Sequence, residues 1–217
     1  MRFEEINIFL SSTFDNEMIK NRDRFRNEIN AKLNALAGQA NVLVFFKDFE
    51  LGIPEGTKPL DVIEVCLDAI SYSNYFIGLI GKGNGTLVKK FLDVNNISQS
   101  KYFKVINYAI NNNMTVLELE FYFALTNNIS SYFFFDSQSS NYHLVEWLLK
   151  HDQNIKGFSN TEELIDDFLK SLEQILFICM VMYLGNQFKK EIPTYWLQIN
   201  FDIISLMKMP LRVSMNT

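Results

Sequence analysis

The sequence predicts an α/β fold in which a doubly wound, mostly parallel sheet carries helices on both faces. Three observations support this class. Short apolar runs alternate with amphipathic segments that are long enough for helices. The runs are apolar at nearly every position, which is typical of parallel strands covered on both sides. The chain has 217 residues, of which 48% are hydrophobic and 21% charged, so it can form a substantial core.

Three apolar runs in the first half of the chain predict strands, at residues 6–10, 42–46 and 74–80. Asp15 can cap a helix after the first strand, and this helix is predicted to reach about Leu36, just before Gly38. The stretch 47–59 contains two Gly and two Pro and predicts a loop. Residues 60–73 predict a helix that leads into the third strand.

The second half of the chain continues the alternation of helices and strands. Residues 86–113 predict one amphipathic helix, whose inward stripe is Tyr102, Phe103, Ile106, Ala109 and Ile110. We interpret this stretch as an insertion, which is either decorative or a lid over a ligand. The elements predicted after it are a helix from Thr115, a strand at 132–135, a helix at 142–150 and an extended piece at 155–158.

The last predicted helix of the domain contains the most apolar segment of the chain. Ser159 and Glu162 match the capping box that begins a helix, and Gly185 is predicted to end it. Residues 175–184 are apolar on every side, but these ten residues are about half the length that crosses a bilayer. We therefore expect a helix buried in the core or against a partner, and no membrane span.

These elements predict one domain over residues 1–185, with an insertion at 86–113. Residues 186–217 are then a C-terminal extension or the start of a further region. Within the extension, residues 196–203 alternate apolar with polar side chains, which predicts a strand.

Composition and charge exclude several classes of function. The formal net charge of −5 and the pI near 5.1 argue against a nucleic-acid-binding protein. The two cysteines and two histidines cannot form a disulfide framework, a four-cysteine zinc site or a histidine-rich metal centre. The N-terminus mixes charged with apolar residues and lacks the apolar region of a signal peptide. We therefore expect a cytoplasmic protein without a metal site.

A glutamate on the apolar face of a helix is the most informative feature of the sequence. Thr115 and Glu118 match the capping box, so Glu118 has a structural role at the helix start. At about 100° per residue, Glu120 falls in the middle of the apolar arc, in line with Leu117 and Phe121. A buried carboxylate must be paired, protonated or placed in a cavity, because burying it ionised and alone costs several kcal/mol.

Two interpretations of Glu120 remain open at this point. It can form a structural pair with a cation such as Arg22, or it can serve as a pocket carboxylate for nucleophilic or acid–base chemistry. The pattern alone does not separate them. In doubly wound sheets ligands bind beyond the carboxyl ends of the strands, which favours the loop SSTF at residues 11–14 and the turn GKGNG at 81–85. The turn lacks the spacing of a P-loop or of a dinucleotide-binding glycine motif.

Several motifs together resemble a known family. INIFLSSTFDNEMIKNRDRF, PLDVIEVCLDAISYSNYFIGLIGKGNG and TVLELEFYFAL have the order and spacing of a TIR-like domain of unknown function with an SSTF motif. That domain is typical of the N-terminus of STAND-type NTPases and of bacterial anti-phage effectors. The resemblance is most specific over residues 5–136 and implies a flavodoxin-like, TIR-like sheet.

The sequence departs from the pattern of this family at four positions. The acidic–Arg pair of the first helix is Asn21-Arg22, so only the arginine is retained. The Ser-Asp pair before the third strand is Ser73-Asn74, and the aromatic residue of the glycine turn is Asn84. The helix with the glutamate begins with Thr115 in place of serine.

The resemblance implies an effector of bacterial anti-phage defence that cleaves the N-glycosidic bond of NAD⁺ or a related nucleotide and is activated by self-association. Glu120 is expected to be the catalytic residue that stabilises the ribosyl cation. Arg22 is expected to pair with Glu120 or a phosphate, and Asp48 to hold a ribose hydroxyl. The other residues implied to bind substrate are Ser11, Ser12, Thr13, Phe14 and Gly81.

NAD⁺ is a substrate in this interpretation, and no cofactor is expected. The implied partners are further copies of the chain or a STAND NTPase module, with no direct contact to nucleic acid or membrane. Two alternatives remain. One is a non-catalytic oligomerisation or signalling module that assembles through its helices, and the other is a nucleoside deoxyribosyltransferase-like enzyme.

Overall fold

A computed structural model describes residues 4–13, 18, 20, 22–29, 31, 42–48, 56–83, 85–92, 94–138, 142–151 and 155–171. The chain forms two compact units, Met1–Asp167 and Phe168–Thr217. In the second unit only residues 168–171 are described, and they are helical. The predicted domain boundary at residue 185 lies outside the described residues and stays a prediction, as do the apolar helix segment at 175–184 and the strand at 196–203.

Within the described residues, five strands form one parallel sheet. They are β1 (Glu4–Ser12), β2 (Val42–Asp48), β3 (Tyr75–Ile80), β4 (Ser130–Asp136) and β5 (Ile155–Phe158). Their order is β2-β1-β3-β4-β5, and every neighbouring pair runs parallel. This is the strand order of doubly wound, flavodoxin-like sheets. The predicted fold class is therefore confirmed.

Helices connect the strands. Helical structure is found at α1 (residues 22–29), α2 (Pro59–Ser71), α3 (Val88–Phe91), α4 (Phe103–Asn111), α5 (Val116–Thr126) and α6 (Tyr142–Lys150). A 3₁₀ helix occupies Val94–Gln99, and residues 161–167 are helical as well. Among the described residues, no helix is long and apolar enough to cross a membrane.

Two adjacent serines at the end of β1 show that helices cover both faces of the sheet. Successive side chains of a strand point to opposite faces. The Ser11 hydroxyl contacts Glu120 of α5, whereas the Ser12 hydroxyl contacts Arg22 of α1. Helices α5 and α1 therefore lie on opposite faces.

Aromatic rings fill the core between the sheet and α5. The ring of Phe121 on α5 meets Phe76 of β3 edge-on at 5.4 Å between centroids, and it meets Phe133 of β4 at 5.0 Å. Phe9 of β1 stacks on Phe76 at 5.9 Å. Fully buried rings can pack this closely because offset and edge-to-face contacts are favourable. Phenylalanine side chains thus supply much of the described core.

The stretch 86–113 differs from the prediction of one helix in an insertion. It holds the short helix α3 and a 3₁₀ helix in addition to α4. Val88, Ile106 and Ala109 are completely buried in the same apolar cluster as α2 and α5. The stretch is therefore part of the core rather than a decoration. Phe103 was predicted to face inward but is 39% exposed, because it begins α4 at the surface.

The predicted capping box at Ser159 is displaced by one residue. Asn160, through its side-chain oxygen, accepts a hydrogen bond from the Glu163 backbone N–H at 2.9 Å. The Glu163 carboxylate in turn accepts from the backbone N–H of Ser159 at 2.8 Å. Glu162, the predicted partner, instead forms an ion pair with Arg24 of α1.

Candidate functional site

The candidate site lies where the strand order of the sheet reverses. Strand β1 connects onward to β2 on one side, whereas its neighbour β3 connects onward to β4 on the other side. The connections that leave the carboxyl ends of β1 and β3 therefore run in opposite directions. Crevices at such a point are where open α/β sheets bind ligands. Ser11 and Ser12 end β1 at this edge, and Gly81 directly follows β3.

Hydrogen bonds join the ends of β1 and β3. The backbone N–H of Thr13 donates to the Leu79 carbonyl at 3.1 Å, which extends the pairing of the two strands by one residue. The Thr13 hydroxyl accepts a hydrogen bond from the Gly81 N–H at 2.8 Å. Thr13 is buried, so this hydrogen bond satisfies two buried polar groups and joins the residues that follow β1 and β3. Thr13 and Gly81, both predicted substrate-binding residues, therefore lie together.

A capping box sets the start of α5 and thereby the position of Glu120. The Thr115 hydroxyl accepts a hydrogen bond from the Glu118 N–H at 3.2 Å. The Glu118 carboxylate accepts one from the Thr115 N–H at 2.7 Å. These reciprocal bonds satisfy two backbone donors at the helix start, as the sequence predicted. Glu120 follows two residues later, within the first turns of the helix.

The Glu120 side chain is buried and hydrogen-bonded to polar groups from two other elements. It is 6% exposed, as its place on the apolar arc predicted. The Ser11 hydroxyl of β1 donates to its Oε2 at 2.5 Å. The Cys66 thiol of α2, itself 3% exposed, is its second hydrogen-bond partner. Strand β1, helix α2 and helix α5 therefore converge on one carboxylate.

The surroundings of Glu120 favour its neutral form. Burial raises the pKa of Glu120 to about 7, and the hydrogen bonds from Ser11 and Cys66 lower the pKa in part. Burial together with the nearby Glu120 carboxylate strongly raises the pKa of the Cys66 thiol, so the thiol stays protonated and can donate. A carboxyl group with a pKa near neutrality is present in both forms at pH 7, which suits acid–base and cation-stabilising roles.

Arg22 lies on the other face of the sheet from Glu120. Its side chain is 2% exposed, and its guanidinium donates to the Ser12 hydroxyl at 3.4 Å. The guanidinium is also 4.0 Å from the Asp23 carboxylate. Ser11 and Ser12 point to opposite faces, so the strand separates Arg22 from Glu120. The expected pairing of Arg22 with Glu120 is therefore not found, and Arg22 supports the end of β1 from α1.

The remaining predicted site residues are placed in part. The backbone of Asp48 ends β2 and pairs with Leu10 of β1, so it reaches the same edge of the sheet as Ser11. Phe14 lies outside the described residues. Within the described part of the chain, no three His, Cys, Asp or Glu side chains are grouped so that they could hold a metal ion.

Two hollows described on the surface lie away from Glu120. One, of about 300 Å³, lies between α4 and the C-terminal half of α5 and includes Tyr108 and Tyr122 in its lining. The other, of about 460 Å³, lies along Lys101–Val105. Glu120 lines neither of these two hollows, and its side chain is buried.

Cys66 was not among the functional candidates that the sequence predicted. Its spacing predicted an inward-facing position on α2, which is correct. The contact between α2 and α5 could not be predicted, because no local sequence pattern shows which helices share a face of the sheet. The available signal was that Cys66 is the one hydrogen-bonding side chain among the buried residues of α2.

Comparison with known proteins gives one result. The family model described as "Domain of unknown function (DUF4062)" matches residues 7–180. Searches among curated proteins and among solved structures each found no significant match.

Proposed function

The chain belongs to the DUF4062 family, and we propose that this member cleaves the N-glycosidic bond of NAD⁺ or a related nucleotide. We propose further that it is an effector of bacterial anti-phage defence whose activity depends on self-association. The chemical part of the proposal is supported by one observation above all. Glu120 is a buried carboxylate that contacts Ser11 at the carboxyl end of β1, where the strand order reverses. The biological part is supported by the motifs shared with TIR-like effectors.

The proposed reaction uses the charge of Glu120. When the bond between the ribose C1′ and the nicotinamide nitrogen breaks, the electron pair leaves with nicotinamide and positive charge develops on the ribose. An ionised carboxylate stabilises that charge, as in glycosidases. Water then attacks C1′ and releases a proton. The Ser11 hydroxyl and the Cys66 thiol hold the carboxylate in place until the substrate arrives.

The enclosure of Glu120 fits an enzyme that is latent until activated. At 6% exposure, the carboxylate is shielded from a substrate in solution. Self-association that moves the neighbouring loops would uncover it. The resting enzyme would then spare cellular NAD⁺, and the assembled enzyme would consume it. The two states would differ only in access to the Glu120 side chain.

The test is release of nicotinamide from NAD⁺ by the purified protein. It is assayed alone and with the gene product encoded next to it, over a range of protein concentrations. We expect activity of the wild type under an assembled condition and a loss of about 100-fold or more in Glu120→Gln. Glu118→Gln is the matched control, because glutamine also completes a capping box two residues away. Equal activity of the wild type and Glu120→Gln contradicts the proposal.

A non-catalytic interaction module is the second candidate, and the exposed aromatic side chains of α4 favour it. Phe103 is 39% and Tyr108 43% exposed. Tyr108 also stacks on Tyr122 of α5 at 4.6 Å. Light scattering of Phe103→Ser and Tyr108→Ser variants tests assembly through α4, and nicotinamide release by the wild type discriminates the two functions. Loss of assembly without any nucleotide cleavage in the wild type supports this candidate.

A nucleoside deoxyribosyltransferase-like enzyme would use the same carboxylate with a different acceptor. A base, in place of water, would then attack C1′. Exchange of a labelled base into a nucleoside distinguishes this reaction from hydrolysis, since only a transferase incorporates the label.

A further inference from the structure

A glycine in the middle of β3 lies beneath the helix turn that carries Glu120. Gly78 pairs in register with Ser11 of β1 and with Phe133 of β4. The side chains of register partners point to the same face of the sheet. The space above Gly78 on this face therefore adjoins the Ser11 hydroxyl that contacts Glu120. A glycine inside a strand often marks a place where another group must approach the backbone closely.

The group that approaches Gly78 is the ring of Phe121. A Cβ atom at Gly78 would come within 2.5 Å of the Phe121 Cζ and 2.7 Å of the Phe133 Cδ1. Both distances are shorter than carbon atoms tolerate. The Phe121 ring has no room to retreat, because it is completely buried between Phe76 and Phe133.

We infer that Gly78 is a positioning residue for Glu120: its missing side chain lets the Phe121 ring lie against the sheet, which holds the adjacent carboxylate on Ser11. Glu120 and Phe121 are consecutive residues of one rigid helix turn. Any group that lifts the ring lifts the turn and lengthens the 2.5 Å contact between Ser11 and Glu120. The catalytic consequence rests on the proposed function, whereas the positioning itself can be measured without it.

The chain offers a matched control for the substitution Gly78→Ala. Gly157 of β5 also faces a phenylalanine, and a Cβ there would come within 2.9 Å of the Phe135 Cζ. It pairs with Phe135 at the edge of the sheet, two strands away from β3. Gly157→Ala therefore introduces a similar clash without touching the turn that carries Glu120.

The experiment titrates the Glu120 carboxyl by ¹³C NMR in the full-length wild type and variants, with Glu120→Gln used for assignment. In the wild type we expect a midpoint near the pKa of about 7 that burial produces. Gly78→Ala is expected to shift the midpoint by one unit or more, a tenfold change in proton affinity, whereas Gly157→Ala leaves it unchanged. An unchanged midpoint in Gly78→Ala, or an equal shift in Gly157→Ala, overturns the inference.

Phe121→Leu provides a second route that remains decisive even where Gly78→Ala does not fold. The smaller side chain leaves space above Gly78, which an alanine there would fill. We therefore expect Gly78→Ala/Phe121→Leu to have a midpoint closer to the wild type than Phe121→Leu alone. A double variant no closer than the single one overturns the inference.

Nicotinamide release separates the failure of this inference from failure of the proposed function. In an active wild type, Gly78→Ala is expected to lower kcat tenfold or more with little change in KM, and Gly157→Ala to leave kcat unchanged. An inactive wild type would contradict the proposed function but not this inference, because the NMR comparison still decides whether Gly78 positions Glu120.

Discussion

Glu120 is a single side chain whose charge state links stability to chemistry. Ionising a carboxyl group that is shielded from solvent costs free energy, and the hydrogen bonds from Ser11 and Cys66 only partly offset this cost. The sequence predicted burial of Glu120 because helical periodicity is a local property. It did not predict which groups surround the carboxylate, because Ser11 is 109 residues away and the pairing depends on the whole sheet.

The raised pKa of Glu120 predicts a pH-dependent stability. The pKa is raised from 4.5 to about 7, so the carboxyl contributes stability below pH 4.5 that is lost as the pH rises through 7. The loss is on the order of 3 kcal/mol. Glu120→Gln is therefore expected to stabilise the protein at pH 8 and to have a much smaller effect at pH 5.

Chemical denaturation at the two pH values measures this effect. Glu146→Gln, an exposed position on α6, controls for the removal of a surface charge. The same change in the free energy of unfolding at pH 5 and pH 8 for Glu120→Gln would show that its carboxyl is not destabilised by burial.

At the level of elements, helix caps decide where side chains point. The cap at Thr115 was predictable because Thr and Glu occupy the two required positions and an apolar run follows. The sequence SNTEE at 159–163 offers two overlapping caps, one starting at Ser159 and one at Asn160. Both residues are good N-caps, so the pattern could not choose between them. In the structure Asn160 caps the helix, and Glu162 is left to pair with Arg24.

The cap of α5 predicts a measurable loss of stability. Thr115→Ala removes the hydroxyl that accepts from the Glu118 N–H, and we expect a loss of about 1 kcal/mol, or roughly 2–4 °C in Tm. Thr115→Ser retains the acceptor and is expected to remain close to the wild type. Thermal unfolding followed by circular dichroism compares the three proteins. Equal Tm values for the alanine and serine variants would mean that the cap bond is not stabilising.

At the scale of the molecule, the alternation of apolar runs and helices was sufficient for the fold class. The strand order was not readable from the same pattern, because it depends on how helices pack across the sheet. The core role of Val88 and Ile106 was missed for a related reason. A polar, Asn-rich composition suggested an insertion, although a few apolar side chains at the right spacing are enough to join a core. The glycine in the run YFIGLI was a usable sign of close approach at Gly78.

Activation by self-association predicts a dependence on protein concentration. If assembly uncovers Glu120, the rate of nicotinamide release per molecule rises with concentration over the range in which light scattering detects assembly. A constant specific activity across that range, in a protein that does assemble, contradicts this form of activation.

The central claim is that the buried carboxylate of Glu120 carries the chemistry, and the ratio of two rates tests it most directly. Nicotinamide release is measured for Glu118→Gln and Glu120→Gln under the condition in which the wild type is most active. We expect the first variant to be faster by about 100-fold or more, since only the second lacks the charge that stabilises the ribosyl cation. Equal rates would contradict the account.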